Sequence, residues 1–215
     1  MPANLLSGNY QKKCIKGSKF LSSLDQDWNS LVSSVGPCKL NLSIELEPYQ
    51  ALIKSVIFQQ LRPASATAIF NRFKQNFDNN FPTEEKILAS PESKLKESGL
   101  SFNKRKTIIE IARHVQKGEL ENRQDFLMMN DSQIIEKLTK IKGIGEWTAQ
   151  MLMIFNLGKL DVFPVSDFAL RKNYSLFKSI ASPLTMRELS KISEEWKPFR
   201  SIAAWYLWRY RNILN

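Results

Sequence analysis

The sequence has too few cysteines and histidines to build a metal centre or a disulfide framework. Its 215 residues include only two cysteines, Cys14 and Cys38, and one histidine, His114. Because iron–sulfur clusters are bound by four cysteines and disulfide scaffolds need several pairs, both classes are excluded. A single histidine likewise gives no zinc ligand set and no catalytic triad. We therefore expect a reduced, intracellular protein.

Long hydrophobic runs are absent as well. No apolar stretch reaches the roughly 18 residues of a membrane span, and residues 1–9 lack the apolar core of a secretory signal peptide. Hydrophobic residues make up 43% of the chain and charged residues 24%, which indicates a globular protein with a real core. Membrane and secreted classes are therefore not expected.

Acidic residues are in deficit. The chain has 21 acidic against 31 basic residues, a formal net charge of +10. Such an excess favours a polyanionic partner such as nucleic acid. A basic protein without that kind of partner remains an alternative at this point.

Strand patterns, internal repeats and low-complexity tracts are absent. Apolar residues recur instead at spacings of three and four, the pattern of amphipathic helices. We predict an all-α fold of about ten helices, with residues 1–11 irregular and one helix carrying the apolar stripe from Phe20 to Val35. Pro63 keeps Arg62 out of the helical conformation, so a turn is expected there.

Residues 138–151 combine two glycines with basic residues between two predicted helices. At the spacing of Gly143 and Gly145, glycines permit positive φ and close backbone approach. The helix after Gly145 presents unpaired N–H groups and the positive end of its dipole, which suits a phosphate. Lys140 and Lys142 add positive charge. The alternative is an ordinary turn between two core helices.

This hairpin and a second segment together resemble the helix-hairpin-helix DNA glycosylase superfamily. The second segment, Asp-Val-Phe-Pro-Val-Ser-Asp, ends at Asp167, twenty residues after Trp147. The pattern is that of the 3-methyladenine DNA glycosylase II group. The resemblance implies two helical subdomains around a DNA-binding cleft, formed by residues 48–155 and by residues 1–47 with 156–215.

The resemblance makes Asp167 the catalytic residue, and the chemistry is consistent with that role. Cleavage of an N-glycosidic bond builds positive charge on the sugar, which a fixed carboxylate stabilises in the transition state. The alternative is that Ser166 and Asp167 only cap the following helix. Asp161 and Glu146 are lesser candidates for this role. Asp161 is better interpreted as a charge in a loop, and Glu146 as a charge in the first turn of a helix.

Aromatic and long side chains supply the implied base pocket. Alkylated purines such as 3-methyladenine and 7-methylguanine are cationic, and an electron-rich ring face favours cations. The alternative for Trp147 is a plain core residue. The residues that the resemblance assigns to the pocket are Trp147, Met151, Trp196, Phe199 and Gln60.

The segment Gln59-Gln60-Leu61-Arg62 matches the family's turn that enters the minor groove. An inserted side chain props open the gap that a flipped base leaves. Leu61 is the first candidate for this wedge and Arg62 the second, whereas a core leucine and a solvated arginine are the alternative. The DNA contacts implied by the resemblance are Leu61, Arg62, Lys140, Lys142, Gly143, Ile144, Gly145 and Thr148.

The sequence departs from the bifunctional relatives at Trp147. Those relatives carry a lysine there that attacks the sugar, and an indole cannot form a Schiff base. The four cysteines of iron–sulfur relatives are missing too, so no cluster and no required cofactor are expected. The backbone carbonyls of Thr139, Ile141 and Ile144 match those with which the family's hairpin can hold Na⁺ or K⁺.

The expected function is that of a monofunctional DNA glycosylase. It would act as a monomer on double-stranded DNA, flip out and hydrolyse off alkylated purines, and leave an abasic site for base excision repair. Its compartment would be the cytoplasm or nucleoid in a bacterium and the nucleus in a eukaryote. The alternatives are a glycosylase for oxidised or deaminated bases and a non-catalytic helix-hairpin-helix DNA-binding protein.

Overall fold

The computed structural model describes residues 3–210, with side chains from residue 8 onward. Within that range the chain forms thirteen α-helices and one 3-10 helix, and no strand. The helices are α1 (Ala3–Ser22), α2 (Gln26–Val35), α3 (Pro48–Phe58), α4 (Pro63–Gln75), α5 (Glu84–Ala89), α6 (Glu92–Glu97), α7 (Phe102–Gln116), α8 (Arg123–Met128), α9 (Asp131–Thr139), α10 (Glu146–Phe155), α11 (Phe168–Phe177), α12 (Met186–Ser193), the 3-10 helix (Glu194–Trp196) and α13 (Arg200–Tyr210).

The all-α prediction is confirmed, but the expected number of helices is too low. Three helices, α5, α6 and α8, have six residues each. Fewer than two turns carry little periodic signal, so their existence is set by caps and packing rather than by an apolar stripe. None of the helices within the described range combines the length and apolar character that a bilayer crossing requires.

The chain divides into two compact units. The first contains Met1–Leu42 and Met153–Asn215, and the second contains Ser43–Leu152. The sequence-based division places the central segment at residues 48–155. Both divisions join the two ends of the chain into one unit and leave the middle of the chain as the other.

Two predictions at the start of the chain are wrong. Residues 3–11 are helical rather than irregular, since they belong to α1, while residues 1–2 lie outside the described range. The single helix expected through Phe20 and Val35 is two helices. Asp25 begins the second one, because its carboxylate accepts a hydrogen bond from the Trp28 amide at 2.8 Å and so caps α2.

The core of the first unit is aromatic. The Trp28 ring contacts Phe177 and Trp196 at centroid distances of 5.0 and 5.4 Å, in edge-on arrangements. Residues 201–207 of α13 are all buried within this unit. Pro198 separates Trp196 from α13, and the Lys197–Pro198 peptide bond is cis.

In the second unit, α7 packs against both α3 and α5. α3 is apolar on most of its surface, and six of its eleven residues are buried. As predicted, Arg62 is extended before α4, with φ −67° and ψ 144°. Asn130 forms a capping box with Gln133 at the start of α9. The connections from α3 to α4 and from α9 to α10 both lie in this unit.

Candidate functional site

The predicted hairpin is present as two helices joined by a short turn. α9 ends at Thr139, and α10 begins at Glu146. The Ile144 amide donates to the Ile141 carbonyl at 3.0 Å, which closes the turn. Lys140 and Lys142 are exposed, and Lys140 forms an exposed ion pair with Glu136 at 3.1 Å. The hairpin therefore presents two lysines to solvent beside a helix N-terminus.

The two glycines of the hairpin have different reasons to be glycine. Gly143 has φ +95°, and a β-carbon there would overlap the Thr107 hydroxyl and lie 2.9 Å from the Thr107 β-carbon. Gly145 has no such conformation, and a β-carbon there would meet no atom within 4 Å. Of the two glycines, only Gly143 thus uses the positive φ that glycine permits. The fold requires glycine at the first position and leaves the second free for an approaching partner.

Two of the predicted DNA contacts have buried side chains. Ile144 is 4% exposed and its amide is used inside the turn, so it anchors the hairpin to the core. Thr148 is 3% exposed, and its hydroxyl accepts a hydrogen bond from the Gln59 side-chain amide at 2.8 Å. Neither side chain is available to a duplex. A contact through these two side chains is therefore excluded, and a contact through the backbone stays a prediction.

The turn between α3 and α4 projects an apolar side chain to solvent. Leu61 is 38% exposed, so the core alternative for this residue is wrong. Gln60 and Arg62 are exposed beside it. Gln60 also has φ +55°, a left-handed conformation that non-glycine residues adopt at a cost of about 1–3 kcal/mol. A strained backbone that holds an apolar residue outward is typical of a functional segment.

Of the two predicted pocket residues on α10, Trp147 is the more accessible. It lies in the first turn of α10 and is half-buried. Met151, one helical turn further on, is 7% exposed. Residues four apart share one face of a helix, so both lie on the same side of α10. This face offers an indole with Met151 beneath it.

Asp167 lies at the N-terminus of α11, and both of its carboxylate oxygens accept hydrogen bonds. Oδ1 accepts from the amides of Ala169 at 2.8 Å and Leu170 at 3.2 Å. Oδ2 accepts from the indole Nε1 of Trp208 at 3.2 Å. The carboxylate is thus an N-cap, as the alternative had it, and it is also fixed from a second helix. The residue as a whole is partly exposed.

Trp208 is the residue that sequence reasoning missed at this site. Its ring stacks on Phe155 at a centroid distance of 5.7 Å and an angle of 29°, which leaves its N–H directed at Asp167. A signal was available, since a partly buried tryptophan needs a partner for its N–H. The partner could not be chosen from sequence, because Trp208 and Asp167 are 41 residues apart.

The loop before Asp167 is tied to the start of α13. The Ser201 hydroxyl donates to the Lys159 and Val162 carbonyls at 2.8 and 3.0 Å, and the Val162 amide donates to Ser201 Oγ at 2.9 Å. Arg200 binds both carboxylate oxygens of Asp161 at 2.8 and 3.0 Å. Asp161 is therefore engaged in a bidentate ion pair, which fits the loop-charge interpretation.

Trp196 and Phe199 do not form an open ring face in this structure. Trp196 is 1% exposed, and its ring is enclosed by Trp28, Phe163 and Tyr174 at 5.1–5.4 Å. Phe199 is 8% exposed and packs against Phe20 at 5.5 Å. A base cannot stack on rings that are already covered. Their predicted role as pocket walls is corrected to core packing in the first unit.

Comparison with known proteins agrees with these features. A family model described as the HhH-GPD superfamily base excision DNA repair protein matches residues 53–198. The alkylbase DNA glycosidase-like protein mag2 of Schizosaccharomyces pombe is 36% identical over 196 residues, 90% of this chain and 92% of that protein. DNA-3-methyladenine glycosylase 1 of the same organism is 39% identical over 202 residues, 93% of this chain and 89% of that protein.

Among solved structures, the S. pombe 3-methyladenine DNA glycosylase in complex with abasic DNA is similar to this chain. The two superpose with a TM-score of 0.86 at 39% identity, over 90% of this chain and 95% of the other. The match thus extends over nearly the whole of both chains, well beyond the hairpin itself.

Proposed function

The chain belongs to the HhH-GPD superfamily of base excision DNA repair proteins, and on that basis we propose that it is a monofunctional DNA glycosylase. The proposed substrates are alkylated purines such as 3-methyladenine and 7-methylguanine in double-stranded DNA. Support for this substrate class comes from the similar S. pombe relatives, which are named as alkylbase and 3-methyladenine glycosylases. The product is an abasic site in an unbroken strand.

The observation that carries the proposal is the geometry at Asp167. Its two oxygens accept three hydrogen bonds, from two amides of α11 and from the Trp208 indole. A carboxylate held in this way does not have to reorganise while charge develops, which is the condition for strong electrostatic catalysis. A pure DNA-binding protein has no need of a fixed carboxylate.

The reaction follows from that carboxylate. As the N-glycosidic bond breaks, its electron pair leaves with the base and positive charge develops on the sugar, where Asp167 stabilises it. A water molecule then bonds to the anomeric carbon and gives up a proton, which the carboxylate can accept. An alkylated purine starts with a positive charge, so it leaves as a neutral base. That property explains why no general acid is required for this substrate class.

The proposal excludes strand cleavage through a covalent enzyme intermediate. The position where bifunctional relatives carry an attacking lysine is Trp147, which has no amine. Borohydride treatment during reaction with lesion-bearing DNA should therefore trap no protein–DNA adduct. An adduct in the yield of a known lyase would overturn the monofunctional assignment.

The proposal also covers the compartment, the oligomeric state and the cofactors of the protein. We place the protein in the DNA-containing compartment, the nucleoid of a bacterium or the nucleus of a eukaryote, and expect it to act as a monomer. It needs no cofactor for hydrolysis. A Na⁺ or K⁺ ion at the hairpin is compatible with the Ile141 carbonyl, because that oxygen accepts one hydrogen bond and keeps a second lone pair. Thr139 and Ile144 would supply the other carbonyls.

The direct test is release of free base from duplexes that each carry one defined lesion. The wild-type protein should release 7-methylguanine and 3-methyladenine, and Asp167→Asn should lose on the order of 100-fold or more in single-turnover rate. Affinity for a duplex with a stable abasic analogue should be retained, since the amide keeps an oxygen for the helix cap. Glu146→Gln, at the lesser candidate carboxylate, should react at nearly the wild-type rate.

Three outcomes would contradict the proposal in different ways. A wild-type rate for Asp167→Asn would remove Asp167 from the chemistry. Release of only oxidised or deaminated bases would change the substrate class. Tight binding of abasic DNA without release of any base would favour the non-catalytic alternative.

A further inference from the structure

Lys104 makes two hydrogen bonds to the backbone at the end of α3. It lies in the first turn of α7, and its ammonium donates to the carbonyls of Ile57 and Gln59, both at 2.8 Å. These two carbonyls belong to the last turn of α3 and to the residue after it. The lysine therefore binds the chain just before the Gln60–Leu61 turn.

The contact is favourable for a specific physical reason. The last carbonyls of a helix have no partner within the helix, and they carry the negative end of the helix dipole. An ammonium group supplies donors and positive charge at the same point. Burial lowers the pKa of Lys104, so the cation is partly withdrawn from water and depends on these carbonyls for its hydrogen bonds.

The segment that Lys104 holds is one that would not keep its shape unaided. Gln60 has φ +55°, and Leu61 directs an apolar side chain toward solvent. Neither feature is favourable in the free protein, because left-handed backbone is strained in non-glycine residues and exposed leucine is not stabilised by burial. Such a turn would relax toward commoner backbone angles unless its neighbours fixed it.

A second contact fixes the same turn from the hairpin helix. The Gln59 side-chain amide donates to the Thr148 hydroxyl at 2.8 Å, and Thr148 is 3% exposed. Thr148 follows Trp147 in α10. The turn that carries Leu61 is thus held from α7 through its backbone and from α10 through a side chain. All of these residues belong to the second unit.

We propose that Lys104 is a positioning residue for base flipping: it fixes the Gln60–Leu61 turn in the conformation that inserts Leu61 into the duplex. This inference rests on the proposed glycosylase function. Insertion of a side chain into the stack offsets part of the cost of extruding a base. A wedge that is already held in its inserted conformation loses less entropy on binding than a mobile one.

The test compares Lys104→Met with Lys104→Arg. Methionine keeps much of the length of the side chain and removes the donors and the charge, while arginine keeps both. Lys117→Met is the matched control, since Lys117 is an exposed lysine at the other end of α7. Each variant is measured well below its melting temperature, so that the folded fraction is the same for all.

Two readouts separate flipping from chemistry. The first is single-turnover release of 7-methylguanine from a position opposite cytosine and from an unpaired bulge. Lys104→Met should slow the paired substrate by about tenfold or more and the bulged one by less than about twofold, because an unpaired base costs little to extrude. Lys104→Arg should recover most of the loss, and Lys117→Met should show none.

The second readout needs no base release. The fluorescence of a 2-aminopurine placed beside the lesion should increase when Asp167→Asn binds, because the turn unstacks the site. The increase should be smaller when Asp167→Asn is combined with Lys104→Met. This signal survives if the wild-type protein proves inactive, so failure of the proposed function and failure of this inference are distinguishable. Two results would show that Lys104 only stabilises the fold. One is that Lys104→Met loses the same fraction of the single-turnover rate on paired and bulged substrates. The other is that the fluorescence change of the double variant equals that of Asp167→Asn alone.

Discussion

The hairpin glycines allow a sharp experiment, because the structure separates the requirement of the fold from the requirement of a partner. The perturbation is a pair of substitutions two residues apart, Gly143→Ala and Gly145→Val. At Gly143 the backbone is left-handed and the space is filled by Thr107, whereas at Gly145 a side chain would enter open space. The first change should therefore affect stability and the second should affect binding.

The sizes of the two effects follow from the geometry. An alanine at φ +95° costs about 1–2 kcal/mol in backbone strain, and its overlap with Thr107 adds roughly 1–3 kcal/mol. For a chain of this length, each kcal/mol of lost unfolding free energy lowers the melting temperature by about 2–4 °C, so Gly143→Ala should melt ~5–15 °C below wild type. Gly145→Val should remain within about 1 kcal/mol of wild type, as for most surface changes.

Binding should respond in the opposite order. A valine side chain at Gly145 would hold a phosphate away from the amides that start α10, and a lost hydrogen bond to a charged group costs about 1.5–3 kcal/mol. Affinity for DNA should then fall on the order of 10- to 100-fold, and equally on all sequences, since phosphate contacts carry no sequence information. The salt dependence should be unchanged, because no charged residue is removed.

The assay is fluorescence anisotropy with an abasic-analogue duplex at several salt concentrations, together with thermal melting by circular dichroism. Gly143→Ala, measured below its melting temperature, serves as the control for general damage to the hairpin. If Gly145→Val bound with wild-type affinity and melted like the wild type, the hairpin would not be part of the DNA interface. If it melted as low as Gly143→Ala, the inference of open space at Gly145 would be wrong.

Two further predictions concern the first unit. Trp208→Phe should keep the stacking on Phe155 but remove the N–H that is bound to Asp167 Oδ2. The single-turnover rate of base excision should therefore fall about tenfold, while the affinity for abasic DNA stays the same. An unchanged rate would show that this hydrogen bond does not contribute to catalysis. Partial burial opposes ionisation of Asp25, but hydrogen bonds from Lys178 and from the Trp28 amide outweigh it and lower the pKa of this carboxyl. The stabilisation that ionised Asp25 provides is therefore fully present at pH values above the ordinary pKa of an aspartate, and it is lost as the pH falls through the lowered pKa. Asp25→Ala should lower the free energy of unfolding by about 1 kcal/mol in urea at neutral pH, and Asp25→Asn should lower it by less. The difference in stability between wild type and Asp25→Ala should disappear in acid. A difference that does not change with pH would contradict the assignment.

The sequence predicted what local rules determine. The extended conformation of Arg62 depends on the proline that follows it in the chain, and this prediction is confirmed. The split between α1 and α2 also has a local cause, the cap at Asp25, but the continuous apolar stripe concealed it. The short helix α8 was not predicted, because fewer than two turns show no clear period.

What the sequence could not predict depends on contacts between distant residues. Trp196 and Phe199 match a family segment, yet their burial follows from rings contributed by helices elsewhere in the chain. The bond from Lys104 to Gln59 spans 45 residues, and that from Trp208 to Asp167 spans 41. No periodicity or motif contains such pairings, because they are made by the tertiary fold.

The catalytic role that we propose for Asp167 has to be argued from a geometry that is mostly ordinary. Two of the three hydrogen bonds at Asp167 are those of any helix cap, so capping alone would not mark it as catalytic. The third, from Trp208, holds the oxygen that a simple cap leaves to water. Gly145 and Leu61 differ from Asp167, because the fold offers no reason for a glycine in open space or for an exposed leucine on a strained turn. We therefore propose that these residues, which the folded chain does not need for itself, contact the duplex.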